Sequence, residues 1–500
     1  MHSANAPTAR SRPATDLDLR PIAATLGIVL SILGAAMLLP ALADVSSHHR
    51  VSGADVFLGT AAVTIFVGVL LWMSGRSAQT KRLDLRQTFL LTFCLWTVLS
   101  AFAALPFMWG PPHLSLSHAM FESVSGLTTT GSSVMSGLDD MSPGILLWRA
   151  LLHWFGGMGI VVIAIAVLPV LSIGGMQLFR SESSDKSEKF LPRVGTIAKG
   201  LLLSYALLTA LCTAGYLFAG MTFFDAVTIA MSTLSSGGFA NSDSSIGVFA
   251  NPAVDYVAIV FMLLASMPFP LFARALTGDV TRLVTNSEVR LFLLIVAAFT
   301  LASFAQQTFQ GVAHGEQAFR GALFTVASLI STTGFMAVDY TNWGPLSDAL
   351  FFVLMFLGGC TGSTAGGMKA LRLAIAGEAV RQHLKRIFYR NGVFPIRYGG
   401  APVADDVVAS VLGFTFLFFA TFVVIGVSLS CMGLDLRTAF SASIASLSNV
   451  GPGLGPVVGP ATNYSALPEG AVWMCTLAML LGRLEILTVL VLLLPRFWLR

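Results

Sequence analysis

The chain has 500 residues, 55% of them hydrophobic and only 11% charged, with a formal net charge of +4. Soluble domains carry about 25% charged residues, so this composition excludes a soluble globular protein and indicates one integral membrane domain. The five cysteines, Cys94, Cys212, Cys360, Cys431 and Cys475, lie in or beside apolar segments without metal-ligand spacing or a secreted disulfide pattern, and read as small core residues.

The N-terminal stretch MHSANAPTARSRPATDLDLRP is polar and mildly basic. The apolar run from Ile22 to Ala43 that follows is too long for a signal-peptide core and lacks a clear cleavage site, so it is expected to remain as a first span. A helix needs about 20 apolar residues to cross a core of roughly 30 Å. The turn DVSSHHRVSG leads to a second span over 54–74.

Four copies of one plan follow, each a span, a short helix, a polar turn ending in glycine, and a second span. The turns are SGLTTTG ending at Gly131, STLSSGG at Gly238, SLISTTG at Gly334 and ASLSNVG at Gly451. Four residues before each glycine stands Leu127, Leu234, Ile330 or Leu447, and three before it Thr128, Ser235, Ser331 or Ser448. Twelve before it is always alanine: Ala119, Ala226, Ala322 and Ala439. Such self-similarity is read before any local feature. The flanking spans are expected near 87–108 and 145–172, 197–219 and 252–272, 289–305 and 345–373, and 406–432 and 470–495, making ten crossings in all. The expected fold is all-α, with two leading helices (1–75) and then repeats over 76–190, 191–285, 286–400 and 401–500, in pseudo-fourfold array around one pore. Stretches such as LSHAMFESVSGL and FDAVTIAMSTL, too short to cross and too apolar for free loops, read as re-entrant half-helices.

The distribution of lysine and arginine orients this scheme. One set of connections holds Arg76, Lys81, Arg82, Arg86, Arg180, Lys186, Lys189, Arg193, Lys199, Arg274, Arg282, Arg290, Lys369, Arg372, Arg381, Lys385, Arg386, Arg390 and Arg397. The other, with all four turns, has only Arg50, Arg320 and Arg437 against Glu122, Asp139, Asp140, Asp225, Asp243, Glu316 and Asp339. The first set, with both termini, is expected to be cytoplasmic. The turns then face outward in a negative region that draws cations, with Glu122 and Asp225 as exposed acids at its mouth.

TTTG, SSGG, STTG and SNVG contain no acid and no histidine, so their ligands are backbone carbonyls, with serine and threonine hydroxyls beside them. Glycine permits the dihedrals that turn carbonyls to one side, and helix C-termini bring about half a negative charge. Such a ring suits a large monovalent cation, whereas divalent ions call for carboxylates. The plainer alternative is helix packing through small residues; four matched turns favour the ring. In the third repeat a helix over DALFFVLMFLGG breaks into GGCTGSTAGGMK, Gly358–Lys369, which reads as an obstacle below the turns. The last span carries Arg483 and Glu485 at mid-membrane depth, where a charge must face the interior; two residues apart, they do not pair with each other. Arg483 is expected to contact the 358–369 loop. Arg149 and His153 share a face of the first inner span, where His153 reads as a packing residue and Gly156, Gly157 and Gly159 as close-packing glycines. The basic segment 377–397 suits anionic lipid or a partner. No nucleotide-binding fingerprint, nucleophile with its base, or ligand cluster is evident, which argues against an enzyme, a bound cofactor or a nucleic-acid partner.

The repeat plan, the string SNVGPGLG, RALLHWFGGMGI over Arg149–Ile160 and GGMQLFRSE over Gly174–Glu182 resemble the Trk/Ktr/HKT superfamily of potassium transporters. The two leading spans resemble its Trk branch of TrkH-like membrane subunits. The resemblance implies potassium uptake across a bacterial inner membrane, with potassium as cargo. It implies a filter made by the backbone of Thr129, Thr130 and Gly131, Ser236, Gly237 and Gly238, Thr332, Thr333 and Gly334, and Asn449, Val450 and Gly451. It also implies a gate of Gly359, Thr361, Gly362, Ser363, Thr364, Gly366 and Gly367 with Arg483, a homodimer, and a cytosolic TrkA-like nucleotide-binding regulatory subunit. A proton- or sodium-coupled potassium symporter is the alternative.

Overall fold

The computed structural model describes residues 17–46, 53–78, 83–166, 190–276, 278–389, 391–392 and 394–498. Outside them lie the N-terminal tail, most of DVSSHHRVSG with Arg50, Lys81 and Arg82, the end of the span expected at 145–172, GGMQLFRSE with Arg180, Lys186 and Lys189, and Arg390. Among the described residues seven helices are long and apolar enough to cross a membrane, and eight if one bent pair is a single span. The chain is a multi-pass membrane protein.

The leading helices Arg20–Ala36 and Ala54–Gly75 cross closely because their contact is lined by glycine: a Cβ on Gly27 would lie 2.4 Å from the Gly68 carbonyl oxygen. Asp44, buried at the end of Leu38–Ser46, accepts from Gly53 N at 2.9 Å and Gly144 N at 2.6 Å. It thereby ties the leading pair to the start of Pro143–Ala166.

Four shorter helices, Leu116–Leu127, Phe223–Leu234, Gly315–Ile330 and Leu436–Leu447, lie among the long ones. Three have 12 residues and one has 16, spanning about 18 to 24 Å at roughly 1.5 Å per residue, less than the hydrocarbon core. Ser115, Thr222 and Asp435 cap three of their N-termini. The recurring alanines Ala119, Ala226, Ala322 and Ala439 are all fully buried, so the repeat marks where a helix meets its neighbours with no room for a larger side chain.

Two spans expected to be continuous are broken, and a third breaks earlier than expected. Pro252–Ala265 and Phe269–Ala275 meet at 97° instead of forming one helix over 252–272. Pro268 and Pro270 explain the bend, since proline lacks the amide that would continue the ladder and disfavours helix before it. The last span stops at Arg483 and resumes over Leu487–Leu492, with Glu485 at φ 61° and Ile486 at φ 28° between. The third inner span is helical over Pro345–Leu354 and again over Ala370–Phe388, so its break begins about three residues sooner than the glycines alone indicate. The third outer helix, expected over 289–305, runs over Ser287–Gln310 with Asn286 as its cap. Cys431 is exposed, unlike the buried Cys212, Cys360 and Cys475.

Candidate functional site

All four glycine turns line one cavity of about 180 Å3, which Gly131, Gly238, Gly334 and Gly451 share. Each turn closes its short helix in the same way. Thr130 N donates to Ser125 O at 2.9 Å and Thr129 N to Gly126 O at 3.1 Å. The same pair of bonds links Gly237 to Ser232 and Ser236 to Thr233, Thr333 to Ser328 and Thr332 to Leu329, and Val450 to Ala445 and Asn449 to Ser446. This is the Schellman termination, which puts one residue in the left-handed region. Here that residue is not glycine. Thr129, Ser236, Thr332 and Asn449 have φ of 53°, 55°, 56° and 56°, with Gly131, Gly238, Gly334 and Gly451 positive two residues later. A β-branched residue there costs on the order of 1–2 kcal/mol.

The turns form a closed ring. A Cβ on Gly131 would lie 2.1 Å from Gly237 O, one on Gly238 1.8 Å from Thr333 O, one on Gly334 2.1 Å from Val450 O, and one on Gly451 2.6 Å from Thr130 O. Each glycine is thus pressed against the carbonyl that precedes the glycine of the next turn. Among the described residues no hydrogen bond is accepted by the carbonyls of Thr130, Gly237, Thr333 or Val450. Gly451 O differs, accepting from Ser132 Oγ at 2.8 Å and Tyr464 OH at 2.9 Å. Four equivalent carbonyls, each just past the C-terminal end of a short helix and against the glycine of the next turn, are thus buried in the ring with no protein donor among the described residues.

The 358–369 loop lies against the opposite face of this ring, and it grips strained residues and their neighbours. Ser236 Oγ meets Thr364 Oγ1 at 2.9 Å, Thr332 Oγ1 accepts from Gly366 N at 2.6 Å, and Gly367 N donates to Ser448 O at 2.9 Å. Arg483 reaches the first turn, donating from Nη2 to Thr129 Oγ1 at 2.6 Å and from Nη1 to Thr364 O at 3.0 Å. It is 4% exposed, and no carboxylate lies within ion-pair distance of it among the described residues. The cavity below, lined by Gly362, Ser363, Lys369, Asn449 and Arg483, encloses only about 30 Å3. That is room for about one water.

Close approach requires the loop glycines. A Cβ on Gly366 would lie 2.2 Å from Ser448 O, and one on Gly358 2.0 Å from Gly366 O. The loop also fills the break in the second repeat: Cys360 N donates to Ser266 O at 2.8 Å, Thr364 Oγ1 to Ala265 O at 3.1 Å, and Phe269 N to Gly362 O at 3.0 Å. The backbone groups freed by Pro268 are thus partnered by another repeat. The signal for this was MPFP, 267–270.

Other residues here have roles that sequence patterns alone did not assign. Glu288, 4% exposed, accepts from Thr361 N at 2.6 Å, Thr361 Oγ1 at 2.9 Å and Leu371 N at 3.0 Å, pinning both ends of the loop. Lys369 and Arg372, expected among the cytoplasmic charges, are both buried. Lys369 donates to Ala365 O; Arg372 pairs with Glu485 and lies 3.8 Å over the Phe414 ring. The available clue was Glu485, an acid inside the apolar last span that needs a partner. Glu122 is not an exposed acid at the mouth: it is fully buried and pairs with Arg149 at 2.9 Å. His153 is buried against Phe239, with ring centroids 4.1 Å apart. Gly156 and Gly157 do permit close approach, to Leu127 O and Ser235, but a Cβ on Gly159 would meet nothing within 4 Å.

With this geometry in view, a family profile described as TrkH, cation transport protein, matches residues 53–498. The chain is 42% identical over 481 residues to the Trk system potassium uptake protein TrkI of Halomonas elongata, covering 95% of this chain and 96% of that one. It is 38% identical over 489 residues to TrkH of Vibrio parahaemolyticus, covering 96% of this chain and 100% of that one. Among solved structures, that of the potassium transporter TrkH from Vibrio parahaemolyticus superposes with a TM-score of 0.89 at 36% identity, covering 96% of this chain and 100% of that one. These relatives are named as transporters, not as enzymes.

Proposed function

The chain belongs to the TrkH family of cation transport proteins, and from that premise we propose that it takes up potassium through the ring of four turns. The observation that carries this reading is the ring of carbonyls of Thr130, Gly237, Thr333 and Val450, which no protein donor satisfies among the described residues. Potassium, as cargo, would exchange its hydration shell for these oxygens. The acid-free turns provide the field of four helix C-termini but no carboxylate to trap a divalent ion.

Selection and control then sit at different depths. The 358–369 loop, with Gly359, Thr361, Gly362, Ser363, Thr364, Gly366 and Gly367, closes the passage from below, and Arg483 locks it to the first turn. An arginine with no carboxylate partner among the described residues also raises an electrostatic barrier to a cation descending from the ring. Opening requires the loop to leave Ser236, Thr332 and Ser448 and Arg483 to release Thr364. Inward flow would be driven by the membrane potential, worth about 2.3 kcal/mol per charge per 100 mV. The proposal includes residence in a bacterial inner membrane with both termini cytoplasmic, a homodimeric state, and control by a TrkA-like nucleotide-binding subunit, in keeping with the Trk system names of the relatives.

The test is ion flux in vesicles reconstituted with the purified protein under separate potassium, sodium and proton gradients. Potassium should carry the flux, with a reversal potential set by its own gradient and independent of pH. Gly131→Ser and Gly334→Ser should each relax selection against sodium. Intact selection in both variants would contradict the ring assignment, and a reversal potential that follows the proton or sodium gradient would favour a coupled symporter.

A further inference from the structure

Behind the first two turns lies a buried ion pair that the reading above leaves unused. Glu122, on Leu116–Leu127, and Arg149, on Pro143–Ala166, are 0% and 2% exposed. Arg149 Nε donates to Glu122 Oε1 at 2.9 Å. From this pair, contacts run to two different turns. The Glu122 carboxylate accepts from Ser133 Oγ and Val134 N, both at 3.0 Å, on the segment just after Gly131. Arg149 Nη1 donates to Ala240 O at 2.8 Å, two residues beyond Gly238, and the guanidinium lies 4.0 Å over the Phe239 ring.

One helical turn further along, His153 completes the hold on the second turn. Its ring stacks on Phe239, and its Nδ1 lies 3.4 Å from Phe239 N and 3.3 Å from Ser232 Oγ. A Cβ on Gly237 would meet that nitrogen at 2.2 Å, so the imidazole sits directly against the backbone of a ring carbonyl. Other junctions of the ring are tied differently. Tyr464 N donates to Ser133 O at 2.8 Å between the fourth and first turns, and Gly247 N to Met336 O at 3.0 Å between the second and third. The positions equivalent to Glu122, nine residues before the other glycines, hold Ile229, Thr325 and Ala442.

A buried ion pair is an inefficient way to gain stability, because desolvation offsets most of the attraction and apolar packing does as well. What this one supplies is direction: a planar guanidinium and a carboxylate fix both partners at once. We propose that Glu122, Arg149 and His153 form a positioning brace that sets the spacing of the first and second turns and thereby the discrimination between potassium and sodium. None of the three touches the ion; they act through Val134, Phe239 and Ala240 on the carbonyls of Thr130 and Gly237. This rests on the reading of the ring as the selective element.

The experiment measures the potassium-to-sodium permeability ratio, from reversal potentials, and the maximal potassium flux in vesicles containing full-length protein. Glu122→Gln and Arg149→Gln should each lower the ratio about tenfold, corresponding to about 1.4 kcal/mol of differential binding, and the double variant should do no worse than either. Arg149→Lys keeps the charge and so the fold, but it cannot pair, reach Ala240 and cover Phe239 together; its ratio should fall as well. Asp255→Asn serves as the control. It removes the charge from the 2.7 Å pair with Arg320 at another helix junction, so it should lower thermal stability and leave the ratio unchanged. The proposal is overturned if Arg149→Lys and Glu122→Gln keep the ratio within about twofold, or if Asp255→Asn lowers it equally. Gly334→Ser, measured alongside, reports on the ring itself: a lowered ratio there with an intact ratio in Arg149→Lys removes the brace alone, while intact ratios in both remove the ring reading too.

Discussion

Replacing each of the four ring glycines by alanine should give graded damage, with the order set by the geometry. The added carbon would stand 1.8 Å from Thr333 O at Gly238, 2.1 Å from Gly237 O at Gly131, 2.1 Å from Val450 O at Gly334 and 2.6 Å from Thr130 O at Gly451. Real side-chain carbons do not come closer than 3.0 Å, so the facing carbonyl must retreat by the difference, from 1.8 to 3.0 Å or about 1.2 Å at Gly238, and from 2.6 to 3.0 Å or about 0.4 Å at Gly451. Alanine at these positive φ values adds strain of order 1–3 kcal/mol. The facing carbonyl is itself a proposed ligand in every case, so its retreat weakens coordination where selection is made. Potassium-to-sodium ratios from reversal potentials in vesicles should therefore fall furthest for Gly238→Ala, less for Gly131→Ala and Gly334→Ala, and least for Gly451→Ala. The first should lose about tenfold or more, or about 1.4 kcal/mol. A Gly238→Ala protein that folds and keeps its ratio, or a Gly451→Ala protein that is the most damaged, would refute the reasoning.

Arg483→Gln removes two charge-assisted hydrogen bonds, to Thr364 O and Thr129 Oγ1. At about 1.5 kcal/mol each, the shut form should lose about 3 kcal/mol, and potassium flux without any regulatory partner should rise by up to about two orders of magnitude; an unchanged basal flux counts against the gate. Glu288→Gln weakens three bonds to Thr361 and Leu371, so amide hydrogen exchange over 358–371 should quicken while the short helices stay protected. Glu485→Ala strips the carboxylate from buried Arg372. Its cost should be about 3–5 kcal/mol, read as a lower unfolding midpoint that replacing Arg372 by methionine as well partly restores.

The four turns were legible because their chemistry is local: a recurring alanine, a capped short helix, hydroxyl residues and a glycine repeat at one spacing. The loop was legible for the same reason, as a run of glycine and threonine inside an apolar span. What the sequence concealed was how the repeats join. Pro268 marks a break, but only the fold shows that Ala265 and Ser266 offer their carbonyls to Thr364 and Cys360. Arg372 lies beside a run of lysines and arginines in the sequence, so its charge pattern resembles theirs; its burial depends on Glu485, 113 residues away. Glu122 was placed at an open mouth because counting charges gives topology, not exposure. The left-handed threonines at 129 and 332 run against residue preference, and no local rule anticipates them; the loop and Arg483 hold them from outside their own segment.

The most direct measurement is the anomalous density of thallium or rubidium, potassium-like ions with strong scattering, in crystals of the full-length protein. The account predicts a peak on the axis of the ring, within coordination distance of the carbonyl oxygens of Thr130, Gly237, Thr333 and Val450. Sodium should compete for it poorly. A ring without density, in crystals whose ions bind elsewhere in the protein, would contradict the claim that these four carbonyls select potassium.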